Sequence, residues 1–191
     1  MNTQFYQQHA EALAQQYDGV SADTVHHIWR DKLPIKAGKA LDIGAGSGRD
    51  ARWLASKGWQ VTAVEPSSAL RKIAQQHRIS NIDWLDDSLP RLTSLASVQH
   101  YDLILVSAVW MHLTQQDQII ALKRLRELAS CTGVIVITWR NQAREKDRIF
   151  YDVDTSIFGH NAIMASDDKT GRDEVIWQCV VVEGGIVEQG F

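Results

Sequence analysis

From Lys39 onward, short apolar runs alternate with longer amphipathic stretches. Ala40 to Ile43, Gln60 to Val64, Ile82 to Leu85, Asp102 to Val106 and Val134 to Thr138 read as strands, the fourth apolar enough to be covered on both faces. Between them, helices are predicted from about Asp50 to Lys57, stopped by Gly58, and from Ser67 to about His77. A third runs from Gln115 to Ala129, with Ile119, Leu122, Leu125 and Leu128 on one face. This alternation predicts an α/β fold: a mostly parallel sheet with helices on both faces. The tail breaks the pattern. Ala162 to Ser166 and Val175 to Val182 read as two strands joined by the polar turn Asp167 to Asp173, an antiparallel hairpin. Ahead of the sheet, Thr3 to Tyr17 has loosely helical spacing (Phe5, Ala12, Leu13, Tyr17) ended by Gly19. Ser21 is a natural N-cap for a second helix through about Lys32, stopped by Pro34.

The chain of 191 residues suits one structural domain, with residues 1–34 as a helical lid and 35–191 as the body. Its hydrophobic share of 45% and charged share of 23% are ordinary globular values. A net charge of -3 disfavours nucleic acid and anionic membranes as partners. Met1 to Ala10 lacks the apolar core of a signal peptide, and no apolar stretch is long enough to span a membrane, so a cytoplasmic location is expected. Cys131, placed at a helix-to-strand junction, and Cys179, in the apolar run Trp177 to Val182, read as reduced cysteines. His26 and His27 are adjacent and cannot share a helix face, and no other ligand spacing appears, so no metal is expected.

Three segments fall at carboxyl ends of successive strands, where open α/β sheets bind ligands. Leu41-Asp42-Ile43-Gly44-Ala45-Gly46-Ser47-Gly48 turns the chain sharply and lets a ligand lie against bare backbone. Glu65, before Pro66, ends the second strand at the distance where a carboxylate grips both ribose hydroxyls. Asp86-Asp87-Ser88-Leu89-Pro90 follows the third strand, where a carboxylate can accept a hydrogen bond from an adenine amino group. With Tyr101-Asp102-Leu103-Ile104-Leu105, these pieces resemble, in order and spacing, the class I S-adenosylmethionine-dependent methyltransferases, particularly the small bacterial methyltransferase-domain type. The resemblance runs from about Lys39 to Val182. It implies a Rossmann-like seven-stranded sheet with an antiparallel last strand, and S-adenosyl-L-methionine as cofactor, with S-adenosyl-L-homocysteine as product. It also implies a cofactor site of Asp42, Gly44, Ala45, Gly46, Ser47, Gly48, Glu65, Pro66, Asp86, Asp87, Ser88, Ser107 and Trp110. A dinucleotide-dependent oxidoreductase is the rival. G-x-G-x-x-G fails when read from Gly44, because Arg49 takes the third glycine position, although Gly46-x-Gly48-x-x-Ala51 fits the relaxed form. A non-catalytic subunit that keeps the cofactor pocket is the other alternative.

Methyl transfer to an O, N or S nucleophile is an in-line displacement, so most of the work is alignment. Ser107-Ala108-Val109-Trp110-Met111-His112 follows the fourth strand, and His112 is the candidate general base, because histidine titrates near neutral pH. Trp110 is read as a stacking or cation-covering aromatic, Tyr6 and Tyr17 as lid contacts, and Arg140 as a holder for an anionic acceptor. Arg144, Lys146 and Arg148 read as a solvated helical face. A small-molecule acceptor is favoured and a protein side chain stays open. No asparagine-proline signature or catalytic cysteine pair supports nucleic acid. A monomer and a homodimer fit equally.

Overall fold

The computed structural model describes residues 3–95, 100–140, 148–168, 172 and 174–184. Seven strands form one sheet: β1 (Lys39–Ile43), β2 (Gln60–Val64), β3 (Ile82–Leu85), β4 (Tyr101–Ser107), β5 (Ala129–Arg140), β6 (Ile163–Asp167) and β7 (Ile176–Glu183). Their order is β3-β2-β1-β4-β5-β7-β6. The pairs among β1 to β5 are parallel, and β7 runs antiparallel to both neighbours, β5 and β6. The order reverses between β1 and β4, which opens a crevice above their carboxyl ends.

Helices α1 (Thr3–Gln8), α2 (Ala10–Asp18) and α3 (Ala22–Val25) precede the sheet, and α4 (Arg49–Ser56), α5 (Ser68–Gln75) and α6 (Gln115–Leu128) join or flank its strands. Two cores result. One packs Leu122, Leu125 and Leu128 of α6 on Ile104, Val106, Ile135 and Ile137. The other, on the opposite sheet face, packs Trp53 and Leu54 of α4 with Trp29 against Leu103, Leu105 and Val136.

Three boundaries differ from expectation, each for a local reason. Thr3 to Tyr17 is two helices, broken at His9, whose Nδ1 lies 2.9 Å from the Phe5 carbonyl and whose backbone leaves helical geometry. Ser21 does cap a helix, through Thr24 N–H, but α3 ends at Val25 because His26 turns its ring into the interior. Only Arg30–Lys32 regains a helical turn, of 3-10 type. Finally, β5 starts directly after α6 rather than after Gly133. Its pairing with β4 shifts register between Tyr101 and Leu103, and an added Cβ at Gly133 would stand 2.6 Å from the Tyr101 carbonyl oxygen.

Cys131 therefore sits exposed within β5, not at a junction, while Cys179 is buried on β7 and burial pushes its thiol up to about 12. Since the thiolate is the reactive form, a native protein should give one fast-labelling thiol with a maleimide or disulfide reagent, and a second only on unfolding. Two fast thiols would contradict this packing. No helix among the described residues is long and apolar enough to cross a membrane.

Candidate functional site

The turn after β1 depends on glycine. Gly44 (φ +70°) and Gly46 (φ +55°) adopt left-handed backbone. A Cβ on Gly44 would stand 2.4 Å from Val109 Cγ2, and one on Gly46 would stand 3.4 Å from the Tyr17 ring. The turn is pinned from the neighbouring strand. Gly44 N–H and Ala45 N–H donate to Val64 O, and Gly46 N–H donates to Glu65 Oε2 at 2.9 Å. Glu65 Oε1 accepts from Ser67 N–H at 2.8 Å. Glu65 is 5% exposed, and burial raises its pKa against the pull of these two N–H donors.

Beneath the turn lies a charged network that adjacency in the sequence only hints at. Asp50, on the first turn of α4, accepts from Arg49 Nε at 2.7 Å and Nη2 at 3.0 Å, and faces His26 Nε2 at 3.0 Å. His26 Nδ1 accepts from Trp29 Nε1, and its Nε2 lies within ion-pair distance of Asp50. His26 and Arg49 hold the Asp50 carboxyl well below the usual carboxylate range, despite its burial. Asp42 has the opposite fate. It is 1% exposed, and burial, then the charges of Asp50 and Glu65, push its pKa well up. No donor among the described residues meets its Oδ2.

The N-terminal helices are tied onto this same edge. Ser47 Oγ and Arg52 Nη2 donate to Asp18 Oδ1, and Arg49 Nη1 donates to Tyr17 O. Gln7 Oε1 accepts from Ser67 Oγ and Ala69 N–H at the start of α5. Farther along the edge, β4 is followed by Ala108, whose φ of +58° is rare for a residue with a Cβ and whose N–H donates to Thr138 O. There His112 Nδ1 lies 3.0 Å from Ile149 O. Since a carbonyl only accepts, Nδ1 carries the proton, and Nε2 accepts from the Tyr6 hydroxyl at 3.2 Å. Burial lowers the His112 pKa, and the Arg148 and Arg140 charges add to that.

One cavity of about 290 Å³ joins these parts, at the small end of the usual range for small-molecule sites. Gly44, Ala45, Gly46, Ser47, Glu65, Pro66, Ser107, His112, Tyr6, Tyr17 and Arg140 of the sequence-read set line it. Asp42 and Gly48 do not line it. Trp110 is fully buried in the core, its ring 5.9 Å from that of Phe158, and does not reach the cavity wall. Asp86, Asp87 and Ser88 do not reach it either. Asp86 pairs with Arg71 at 2.7 Å, and Asp87 accepts from the N–H groups of Ser88 and Ser94. Arg71 also donates to the Glu65 carbonyl, so that segment stands beside the β2 tip. Arg148 corrects the sequence reading. It lines the cavity, with its guanidinium over Phe5 and Phe150, whereas Arg144 and Lys146 lie outside the described residues. Among the described residues no cluster of three or more metal-ligating side chains occurs.

Comparison with known proteins bears on this arrangement. Residues 41–135 match the family model described as a methyltransferase domain. A protein of Alkaliphilus oremlandii named as an uncharacterized methyltransferase is 31% identical over 102 residues, covering 53% of this chain and 45% of its own. The chain spans about half the length of the curated relatives it matches. Among solved structures, a Pyrococcus horikoshii protein superposes with TM-score 0.68 at 14% identity, covering 89% of this chain and 92% of that one. The Burkholderia thailandensis 1,6-didemethyltoxoflavin-N1-methyltransferase, solved with 1,6-didemethyltoxoflavin and S-adenosylhomocysteine, gives 0.66 at 15% identity, covering 91% and 85%. These likenesses bear on the fold.

Proposed function

We propose that this chain, which belongs to the methyltransferase-domain family through residues 41–135, is an S-adenosylmethionine-dependent methyltransferase acting on a small nucleophile. The carrying observation is the shared cavity, in which the glycine turn, Glu65 and His112 face one space. The groups present fit that cofactor. Glu65 keeps acceptor capacity for hydroxyls beyond the two N–H groups it already holds, and the turn offers no side chain where a flat ligand would press. Asp42 Oδ2 is a buried acceptor that no donor among the described residues meets, and an ammonium-bearing ligand in the cavity would be balanced by it through water. When bound, the cofactor supplies a methyl group on a sulfonium, whose C–S electrons return to sulfur as the acceptor's lone pair takes the carbon.

The chain's own residues do the rest. Gly44 to Ser47, Glu65 and Pro66 hold the adenosyl end, Ser107 and Ala108 line the middle, and Tyr17 covers the turn. Residues 1–34 act as a lid whose ties at Gln7, Tyr17 and Asp18 exclude water. Where the nucleophile arrives protonated, its proton passes to Tyr6 Oη as the Tyr6 proton moves to His112 Nε2. The cavity volume and the net charge of -3 favour a small-molecule acceptor over nucleic acid.

The first test is a thermal-shift comparison. S-adenosylmethionine and S-adenosylhomocysteine at 100 times their Kd should each stabilise by about 2.7 kcal/mol, a rise of several degrees, and NAD should not. Stabilisation by NAD alone would overturn the reading. For the proton path, His112→Ala and Tyr6→Phe should each lower kcat about a hundredfold or more, with cofactor affinity kept. Because burial lowers the His112 pKa and the neutral ring is the base, activity should hold down to pH below about 6.5 and fall only beneath that. A rate that declines from pH 8 downward would assign the base elsewhere.

A further inference from the structure

His26 and His27 cannot share a helix face, and the fold puts the two rings to different uses. His26 is wholly buried beside Trp29 and Asp50, which anchors the end of α3 to the body. His27 is half-buried and lines the cavity together with Val25 and Ile28. Its Nδ1 lies 2.9 Å from Thr24 O. A carbonyl only accepts, so Nδ1 carries the ring hydrogen, and Nε2 of the uncharged imidazole is left as an acceptor. Among the described residues no donor meets that Nε2.

The wall across from this segment is the sheet. Ala22, Ile28 and Trp29 pack in one cluster with Leu105, Val136 and Cys179, so the segment covers that face of β4, β5 and β7. Thr138 is the cross-strand partner of Cys179, and side chains paired in this way stand on the same face. Thr138 also lines the cavity and is 7% exposed. Its Oγ1 accepts from Ala108 N–H at 3.1 Å, while its own hydroxyl hydrogen meets no acceptor among the described residues. The cover thus offers an acceptor and the sheet a donor, and each lacks the partner that a polar group at a closed wall requires.

Resting on the methyltransferase reading above, we propose that His27 and Thr138 together read the methyl acceptor. That molecule is a cyclic amide or an N-heterocycle, whose N–H donates to His27 Nε2 and whose carbonyl or ring nitrogen accepts from Thr138 Oγ1. An analogue lacking either group is rejected, because it leaves one of the two walls unpaired.

Three probes separate the contacts: benzimidazole has both an N–H and a ring-nitrogen acceptor, 1-methylbenzimidazole only the acceptor, and indole only the N–H. Each is titrated at pH 8 in the presence of S-adenosylhomocysteine and followed by protein NMR. Benzimidazole should bind about fivefold or more tighter than either analogue. His27→Phe keeps a ring and loses Nε2; it should erase the margin over 1-methylbenzimidazole, keep the margin over indole and leave S-adenosylhomocysteine affinity unchanged. Thr138→Val should do the reverse to the two margins. Nitrogen-15 spectra of the histidine rings should show His27 as the Nδ1–H tautomer, its Nε2 signal moving with benzimidazole but not with 1-methylbenzimidazole. Equal margins in wild type and His27→Phe sink the proposal, as do an Nε2–H tautomer at His27 and a wild type that binds none of the three probes. Failure to bind S-adenosylhomocysteine overturns the methyltransferase reading instead, while the titrations without it still decide whether His27 and Thr138 act as a pair.

Discussion

Glu65→Ala should weaken S-adenosylmethionine binding at least about a hundredfold and lower the midpoint of the unliganded protein by about 5 °C or more. The two losses have separate origins in one carboxylate. Hydrogen bonds to a charged group contribute about 1.5–3 kcal/mol each, and a ribose diol makes two. The protein itself uses the same oxygens: Gly46 N–H and Ser67 N–H both donate to them, so alanine orphans two backbone donors at the turn. Each buried orphan costs about 1–3 kcal/mol, and 1 kcal/mol is about 2–4 °C for a chain of this size. Glu65→Gln is no rescue, because its amide NH₂ must confront one of those N–H groups. Calorimetric titration reads affinity and a thermal scan reads stability. Unchanged affinity in Glu65→Ala removes this residue from the cofactor site, and unchanged stability would mean water replaces the carboxylate at the turn.

The strands and the crevice were legible because they depend on local pattern. β2 and β3 fall where the apolar runs put them, and the glycine turn and Glu65 sit at adjacent strand tips that parallel pairing brings together. What the sequence concealed depends on contacts between distant segments. Nothing local distinguishes Arg148, which reaches the cavity, from a solvated arginine; its place is set by Phe5 and Phe150. His26 resembles an ordinary helical residue until the fold sets Trp29 Nε1 on its Nδ1 and Asp50 3.0 Å from its Nε2, and α3 ends just before it. Trp110 follows the strand whose end faces the cofactor, yet its bulk is better buried against Phe158 than held at a polar wall. The aspartates after β3 were assigned to adenine by position; in the structure Asp86 meets Arg71, and Asp87 accepts from the backbone N–H groups of Ser88 and Ser94.

Asp42→Asn should make the unliganded protein more stable and the enzyme worse. A buried carboxylate with an orphan oxygen, repelled by Asp50 and Glu65, is a cost the fold carries at neutral pH. Asparagine is nearly isosteric. Its carbonyl keeps an acceptor for Ala51 N–H, a backbone donor to this side chain, and its NH₂ takes the place of the oxygen that no donor among the described residues meets. Removal of the buried charge, with its desolvation and its repulsion by Asp50 and Glu65, is worth on the order of 1–3 kcal/mol, so the midpoint at pH 7.5 should rise by several degrees. The pH dependence fixes the cause. Because the folded pKa of Asp42 lies above 3.8, the carboxylate's cost is absent below that value, grows as pH rises toward the folded pKa, and is complete above it. The advantage of Asp42→Asn should therefore grow as pH rises above 3.8 and shrink in acid. Cofactor affinity should move the other way, falling tenfold or more, since the ligand's cationic end loses the anion placed there for it. A variant less stable than wild type at pH 7.5 would mean that Oδ2 already has a partner, such as an ordered water. A variant more stable that still bound S-adenosylmethionine with wild-type affinity would show that the buried charge serves something other than the cofactor.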